Sequence, residues 1–441
     1  MKNLMITMLA FFGFTNTISA QQYLLLKPDS LFSLAEKNSK LLDMSRYKIK
    51  MSSNATAIEK QKAYLPDIGA SFSYAYLSNA HVWDNHFDYE STVKVPHTSI
   101  DFSVEAGYTV FNGKSSKNRI AKAKLEEQIA ELNFQKDKED IQFLLLAKYL
   151  DLSALYNQEN VYQENIALAE KRLSNIGKLI EQGMLTHNDK VRSELQLTEI
   201  KQKLDELRNN ISIINHDLNT VLGLPKETII KPDTLAYTKE LQLHGLDKYE
   251  EGFAERIPEL KAAALHSQIA EKQINIEKSG RLPSLSLFAG DAISRPFLST
   301  IPPVDIYMHL LQAGIRIRYD IGSLYKSKNQ IQQARMEEIL SHKNEELMAE
   351  KAEIDINAAY VKLKDAEQKY ISQKESYQLA KDNYRVVEQK YLNKFAVITD
   401  MLDASTSLLS AQINMNNARI GIIYQYYNLL KTSGFWEEVS N

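Results

Sequence analysis

A mainly α-helical chain with a small β part is predicted by three features of the sequence. From Ser323 to Ile420 there is neither glycine nor proline, and Lys114 to Ile176 is equally free of both. Each of these stretches follows a segment that alternates apolar and polar residues as a β-strand does. The whole arrangement occurs twice. Glycine costs roughly 1 kcal/mol and proline roughly 3 kcal/mol inside a helix, so their absence over such lengths permits very long helices. At about 1.5 Å per residue, Gly113 to Glu181 reaches on the order of 100 Å as one helix.

The 441-residue chain opens with Met1-Lys2-Asn3, an apolar run from Leu4 to Phe14, and Ile18-Ser19-Ala20. This reads as a signal peptide over residues 1–20, too short to span a bilayer and ending in small residues suited to cleavage. The net charge is −3 and cysteine is absent, which leaves no disulfide framework and no lipid-bearing Cys. No basic block marks a nucleic-acid partner. No later run approaches the apolar length of a membrane helix, so any membrane passage must be made by strands.

The first strand follows Leu65-Pro66, with Ile68, Ala70, Phe72, Tyr74 and Tyr76 alternating with Gly69, Ser71, Ser73 and Ala75. In the second, Ile100, Phe102, Val104, Ala106, Tyr108 and Val110 share one face, and Asp101, Ser103, Glu105, Gly107 and Thr109 the other. The third is weaker: Leu285, Leu287 and Ala289 against Ser284, Ser286 and Phe288. In the fourth, Leu311, Ala313, Ile315, Ile317 and Tyr319 oppose Gln312, Gly314, Arg316 and Arg318. Ten residues of period-two alternation is the length a tilted membrane strand needs. Asp101, Glu105, Arg316 and Arg318 are therefore candidate lumen-facing residues. Four strands cannot close a membrane barrel, and lipid tolerates no open edge. Either the strands are soluble, or several protomers share one barrel; three would supply twelve strands.

The helices carry apolar residues at three- and four-residue spacing, as in Ile120, Ala123, Leu125 and Ile129, or Ile331, Ala334 and Ile339. Such amphipathic rods pack on other helices. Landmarks recur at a nearly constant offset: Pro66 and Pro283, Gly113 and Gly322, Asp189 and Asp400. The chain thus divides into residues 1–20, a first repeat over 21–222, a linker at 223–258 holding Pro225, Pro232 and Pro258, a second repeat over 259–432, and a tail at 433–441.

Two local patterns complete the reading. One is the strand-to-helix junction Val110-Phe111-Asn112-Gly113-Lys114. The other is the stretch Tyr391-Leu392-Asn393-Lys394-Phe395-Ala396-Val397-Ile398-Thr399-Asp400-Met401-Leu402-Asp403-Ala404, whose first-half counterpart runs from Gly183 to Asp189. With the duplicated architecture, these make the chain resemble the TolC-like outer-membrane efflux protein family over about Leu24 to Phe435. The resemblance implies a homotrimeric α/β barrel: a twelve-stranded outer-membrane β-barrel, four strands per protomer, continued by a long antiparallel α-helical periplasmic tunnel. It implies a passive exit duct of a tripartite efflux pump or type I secretion system. The partners would be a periplasmic adaptor protein, an inner-membrane pump of RND, ABC or MFS type, and outer-membrane lipid. The segments Leu77–Thr98 and Gly290–Ile306 would be outward-facing loops.

In that family acidic residues ring the narrowest point of the periplasmic tip. By position these fall on Asp189, Asp400 and Asp403; capping of their helices by Asp189 and Asp400 is the competing role, and the two can coexist. Tyr391 matches a latch tyrosine. The latch arginine falls on Ala396, which cannot donate, and the turn glycine on Lys394, a candidate substitute cation. No cofactor, metal or catalytic residue is expected. His81, His86 and His97 read as a solvated loop, and Tyr424, Tyr426, Tyr427 and Trp436 as packing. The alternatives are a periplasmic adaptor or coiled-coil scaffold, whose single hairpin and β-rich end differ from this chain, and a secreted coiled-coil adhesin.

Overall fold

The structure, a computed structural model, describes residues 23–233 and 243–436. The expected signal peptide, part of the linker and the last residues of the tail lie outside them. In chain order the elements are β1 (Tyr23–Leu26), α1 (Pro28–Asn38), α2 (Lys40–Tyr64), β2 (Asp67–Tyr76), β3 (Ala80–Trp83), β4 (Tyr89–Val93), β5 (Thr98–Asn112), α3 (Ser115–Glu181) and α4 (His187–Leu222). They continue with β6 (Ile229–Pro232), α5 (Leu246–Glu250), α6 (Phe253–Arg256), α7 (Pro258–Ser279), β7 (Ser284–Arg295), β8 (Met308–Arg318), α8 (Ser323–Leu392) and α9 (Ile398–Thr432). The glycine- and proline-poor stretches form α3, 67 residues, and α8, 70 residues. No described helix is long and apolar enough to cross a membrane.

The chain forms two compact units, each built from both repeats. One holds residues 41–137 and 250–355. Its sheet is ordered β2-β5-β7-β8, antiparallel throughout, with β2 and β8 as edges. The register sets Phe72 opposite Phe102 and Phe102 opposite Ile293, so apolar residues of neighbouring strands share one face. On the other face Glu105 pairs with Gly69 and with Gly290, which pairs with Gln312. A bulge between Thr109 and Phe111 inserts Val110 and shifts the register by one beyond it. Gly113 follows at φ +67°, where an added Cβ would lie 2.6 Å from the Ser279 carbonyl oxygen. Only glycine fits a left-handed junction so close to another backbone.

Two loop expectations need correction. Leu77–Thr98 is not an irregular loop, because β3 and β4 pair within it as an antiparallel hairpin. Gly290–Ile306 is shorter than expected as a loop, since β7 continues to Arg295, where Ser294 still pairs with Met308. Alternation in the third strand is weak because Phe288 stands on the polar face. It fits there because Gly314 lies opposite: a Cβ at Gly314 would come within 2.9 Å of the Phe288 ring.

The other unit holds residues 1–40, 138–249 and 356–441. The linker is not featureless: its segment Ile229–Pro232 is β6, parallel to β1. Tyr149, fully buried on α3, donates its hydroxyl proton to the Leu26 carbonyl at 2.6 Å and accepts from the Asp233 amide at 2.7 Å, joining the ends of both strands. Asn215 of α4 extends the pairing, receiving the Ile230 amide and donating to the Thr228 carbonyl, both at 2.7 Å. Trp436 is buried against Phe32, Phe143 and Tyr427 and donates to Gln142 at 2.8 Å. Of the aromatic residues near the C-terminus, Trp436 is buried and Tyr427 and Tyr426 pack beside it, whereas Tyr424 lies against Phe143 but stays exposed.

Candidate functional site: the helix turns and the polar sheet face

The candidate residues fall into two groups, each within one compact unit. In the sheet unit, the register carries Asp101 and Glu105 of β5 onto the face that holds Arg316 and Arg318 of β8. The alternation predicted from sequence therefore brings all four to one side. Ser73 and Ser99 donate to Asp101 at 3.3 and 3.1 Å, Ser71 and Ser103 are hydrogen-bonded at 2.8 Å, and the Arg316 guanidinium sits 4.6 Å from the Phe288 ring centre. The opposite face presents Ile68, Phe72, Tyr74, Leu311, Ile315 and Ile317, all strongly exposed. The apolar face is interrupted by one exposed pair, His309 with Asp291; apart from it, the sheet has one charged and one apolar face, as a boundary between lipid and water requires.

The second group lies at the turns that join α3 to α4 and α8 to α9. Both turns close in the same way. The Gly183 amide bonds to the Ile180 carbonyl at 2.8 Å and the Met184 amide to Leu179 at 2.8 Å; the Lys394 amide bonds to Tyr391 at 3.0 Å and Phe395 to Lys390 at 2.7 Å. These paired bonds, with the middle residue left-handed, terminate a helix. Gly183 has φ +68° and Lys394 φ +65°. The duplication at an offset of 211 residues, read from Asp189 and Asp400, thus extends to backbone hydrogen bonds. Lys394 is held at the turn by its backbone in a conformation that disfavours side chains, and no acidic residue pairs with it among the described residues.

Asp189 caps α4 in a reciprocal box. Its Oδ2 receives the Thr186 amide and hydroxyl, both at 2.8 Å, while its own amide reaches Thr186 Oγ1 at 3.3 Å. Asp400 holds the matching place on α9, but Val397 has no side-chain acceptor, and the single bond from the Val397 amide is 3.4 Å long. Asp400 and Asp403 are both exposed, one turn apart on α9. Two carboxylates so placed are open to a cation or to copies of themselves.

Between the turns lies an apolar cluster of Ile176, Tyr391, Ile398 and Met401, with Ala396 packed against it. Ala396 is apolar because this position faces the cluster. Tyr391 is 8% exposed and its hydroxyl has no hydrogen-bond partner among the described residues. Burial pushes its phenol pKa up, Asp189 adds to the rise, and Arg172 opposes it. Arg172 of α3 was not singled out in the sequence. Its guanidinium donates to Gln196 of α4 and to Ser405 of α9, each at 3.0 Å. Gln196 in turn donates to Thr406 at 2.9 Å and to the Leu402 carbonyl at 3.2 Å. The arginine that acts on the Tyr391 phenol therefore comes from α3, and no signal marked it: a lone arginine in an amphipathic run has no motif.

His81, His86 and His97 do not converge. His81 faces Thr92 at 3.1 Å, His86 lies 3.7 Å from Asp84, and His97 contacts the Leu77 carbonyl at 2.8 Å.

A sequence model described as outer membrane efflux protein matches residues 253–434. Among curated proteins, the chain is 22% identical over 409 residues to the outer membrane efflux protein BepC of Brucella suis biovar 1 (strain 1330), covering 91% of this chain and 83% of that one. Among solved structures, the outer-membrane channel OprN superposes with TM-score 0.76 at 14% identity, covering 92% of this chain and 89% of its own. The outer membrane protein VceC of Vibrio cholerae gives 0.73 at 15%, with coverages of 92% and 96%. The CmeC outer membrane channel of Campylobacter jejuni gives 0.71 at 15%, with 93% and 86%.

Proposed function

We propose that the chain belongs to the TolC-like outer-membrane efflux protein family, as its likeness to the outer membrane efflux proteins supports, and that it is the passive exit duct of a tripartite efflux pump, working as a homotrimer in the outer membrane. The observation that carries this is the four-stranded sheet with β2 and β8 as its edges and an exposed face that is apolar except for the Asp291–His309 pair. Exposed strand edges are not tolerated in lipid, and four strands are too few to close on themselves. Three copies joined edge to edge would give a twelve-stranded barrel whose polar face, with Asp101, Glu105, Arg316 and Arg318, lines the lumen.

The helices then form the periplasmic tunnel, and the turns bearing Asp189, Asp400 and Asp403 form its entrance. Copies of Asp400 and Asp403 around a narrow axis place like charges together, favouring cations over anions and making passage sensitive to divalent ions. Tyr391, whose hydroxyl is buried without a hydrogen-bond partner among the described residues, is the latch candidate, set against Arg172 rather than a cation at Ala396. Lys394 is the lesser latch candidate. A periplasmic adaptor and an inner-membrane pump supply docking and energy; service in a type I secretion system would use the same duct.

The test is direct. Protein extracted in mild detergent should have the mass of three chains and form cation-preferring channels in planar bilayers. A monomer, or an assembly that conducts no ions, would overturn the reading.

A further inference from the structure

We propose that Glu271, Glu338 and His342 form a binding site for a borderline divalent cation, with Zn²⁺ as the representative, that fastens α7 to α8. One ligand atom from each of the three side chains lies within 4.8 Å of the others. Glu338 and His342 are four residues apart on α8 and so point to one side; Glu271 approaches from α7. A tetrahedral site with ligand bonds near 2.1 Å sets neighbouring ligand atoms about 3.4 Å apart. Glu271 is exposed, so that a rotation of its side chain closes that difference.

Three further observations favour a cation here. Glu271 makes no hydrogen bond or ion pair among the described residues, yet a carboxylate oxygen of it lies within 4.8 Å of one of Glu338. Second, the imidazole is held from behind. Its Nδ1 lies 3.5 Å from Glu345 Oε2, and that same oxygen accepts the Ser267 hydroxyl at 2.7 Å. A carboxylate on the Nδ1 side keeps the proton there and turns the Nε2 lone pair outward, as around metal-bound histidines. Third, Nε2 is the atom that faces Glu338, 3.9 Å from its Oε1.

One imidazole and two carboxylates suit Zn²⁺ and similar divalent ions better than Mg²⁺ or Ca²⁺, which prefer oxygen alone. Water would fill the remaining positions. Because α7 leads into β7 and α8 leaves β8, a bound ion would cross-link the two helices that flank this hairpin. Nothing in this chemistry uses the acidic residues of the helix turns.

The experiment uses the full detergent-solubilised assembly, stripped of metal with a chelator and titrated calorimetrically with Zn²⁺. To separate this site from the turn carboxylates, Asp400→Asn with Asp403→Asn serves as the background. One Zn²⁺ per chain should bind. His342→Ala and Glu271→Gln should each weaken that binding at least tenfold, and Glu345→Gln should weaken it roughly tenfold while keeping one ion per chain. Co²⁺ in place of Zn²⁺ should give a visible absorption band that His342→Ala abolishes. Circular dichroism and assembly mass confirm that each variant is intact, and all three positions are partly or fully exposed. Absence of binding in the background protein, or binding unchanged by both His342→Ala and Glu271→Gln, would overturn the site.

Discussion

Arg172→Ala should loosen the helix turns and raise channel conductance. The guanidinium ties three helices together in one chain, through Gln196 on α4 and Ser405 on α9. Hydrogen bonds from a charged group contribute roughly 1.5–3 kcal/mol each, and Arg172 is only half-buried, so the low end applies. Loss of both bonds therefore removes about 3 kcal/mol per chain. At about 1.4 kcal/mol per factor of ten, that is on the order of a 100-fold shift toward a separated arrangement of those helices. Single-channel recording in planar bilayers should show larger or more frequent openings. Arg172→Lys should recover only part of the effect, because an ammonium lacks the planar fork that reaches both acceptors. Gln196→Ala and Ser405→Ala, each removing one bond, should fall between. Conductance and gating indistinguishable from wild type in Arg172→Ala, with the assembly intact, would refute the staple.

Three more perturbations test other parts of the account. Asp400→Ala combined with Asp403→Ala should raise conductance and lessen block by divalent cations, read in the same bilayers. Lys394→Gly should raise thermal stability by about 1 kcal/mol per chain, since it relieves a left-handed side chain, whereas Gly183→Ala at the equivalent turn should lower it by a similar amount; thermal melts decide both. Burial pushes the Tyr149 phenol pKa up from 10.0 to about 12. The unfolded chain loses this proton first, so the stabilisation is fully present below pH 10 and is lost as pH rises from 10 to 12. The loss is of order 2–3 kcal/mol by denaturant unfolding, and Tyr149→Phe should flatten that slope.

The long helices and four main strands were legible because their signals are local. Missing glycine and proline permit α3 and α8, and period-two alternation fixes which strand residues share a face. The repeat could be read from Gly183 and Asp189 against Lys394 and Asp400, since each turn is encoded within a few residues. Features that depend on partners distant in the chain were not legible. β1 and β6 are four residues each, lie some two hundred apart, and rely on Tyr149 and Asn215 from other helices. The hairpin of β3 and β4 is short and polar, so it resembles a loop. Arg172 and Gln196 look like ordinary surface residues until the helices pack. The cation cluster shows half of itself in the spacing of Glu338 and His342, but Glu271 arrives from a separate helix.

The unpaired margins of β2 and β8 also bear on biogenesis. If three copies share one barrel, a single chain cannot complete the hydrogen bonding of its sheet edges alone, so insertion and association should be a single event whose rate climbs steeply with chain concentration. Until then these margins are exposed to misjoining, and escort by a holding chaperone would be advantageous. For the same reason a chain with a damaged margin should be dominant over its intact siblings, since most mixed rings would contain at least one faulty seam.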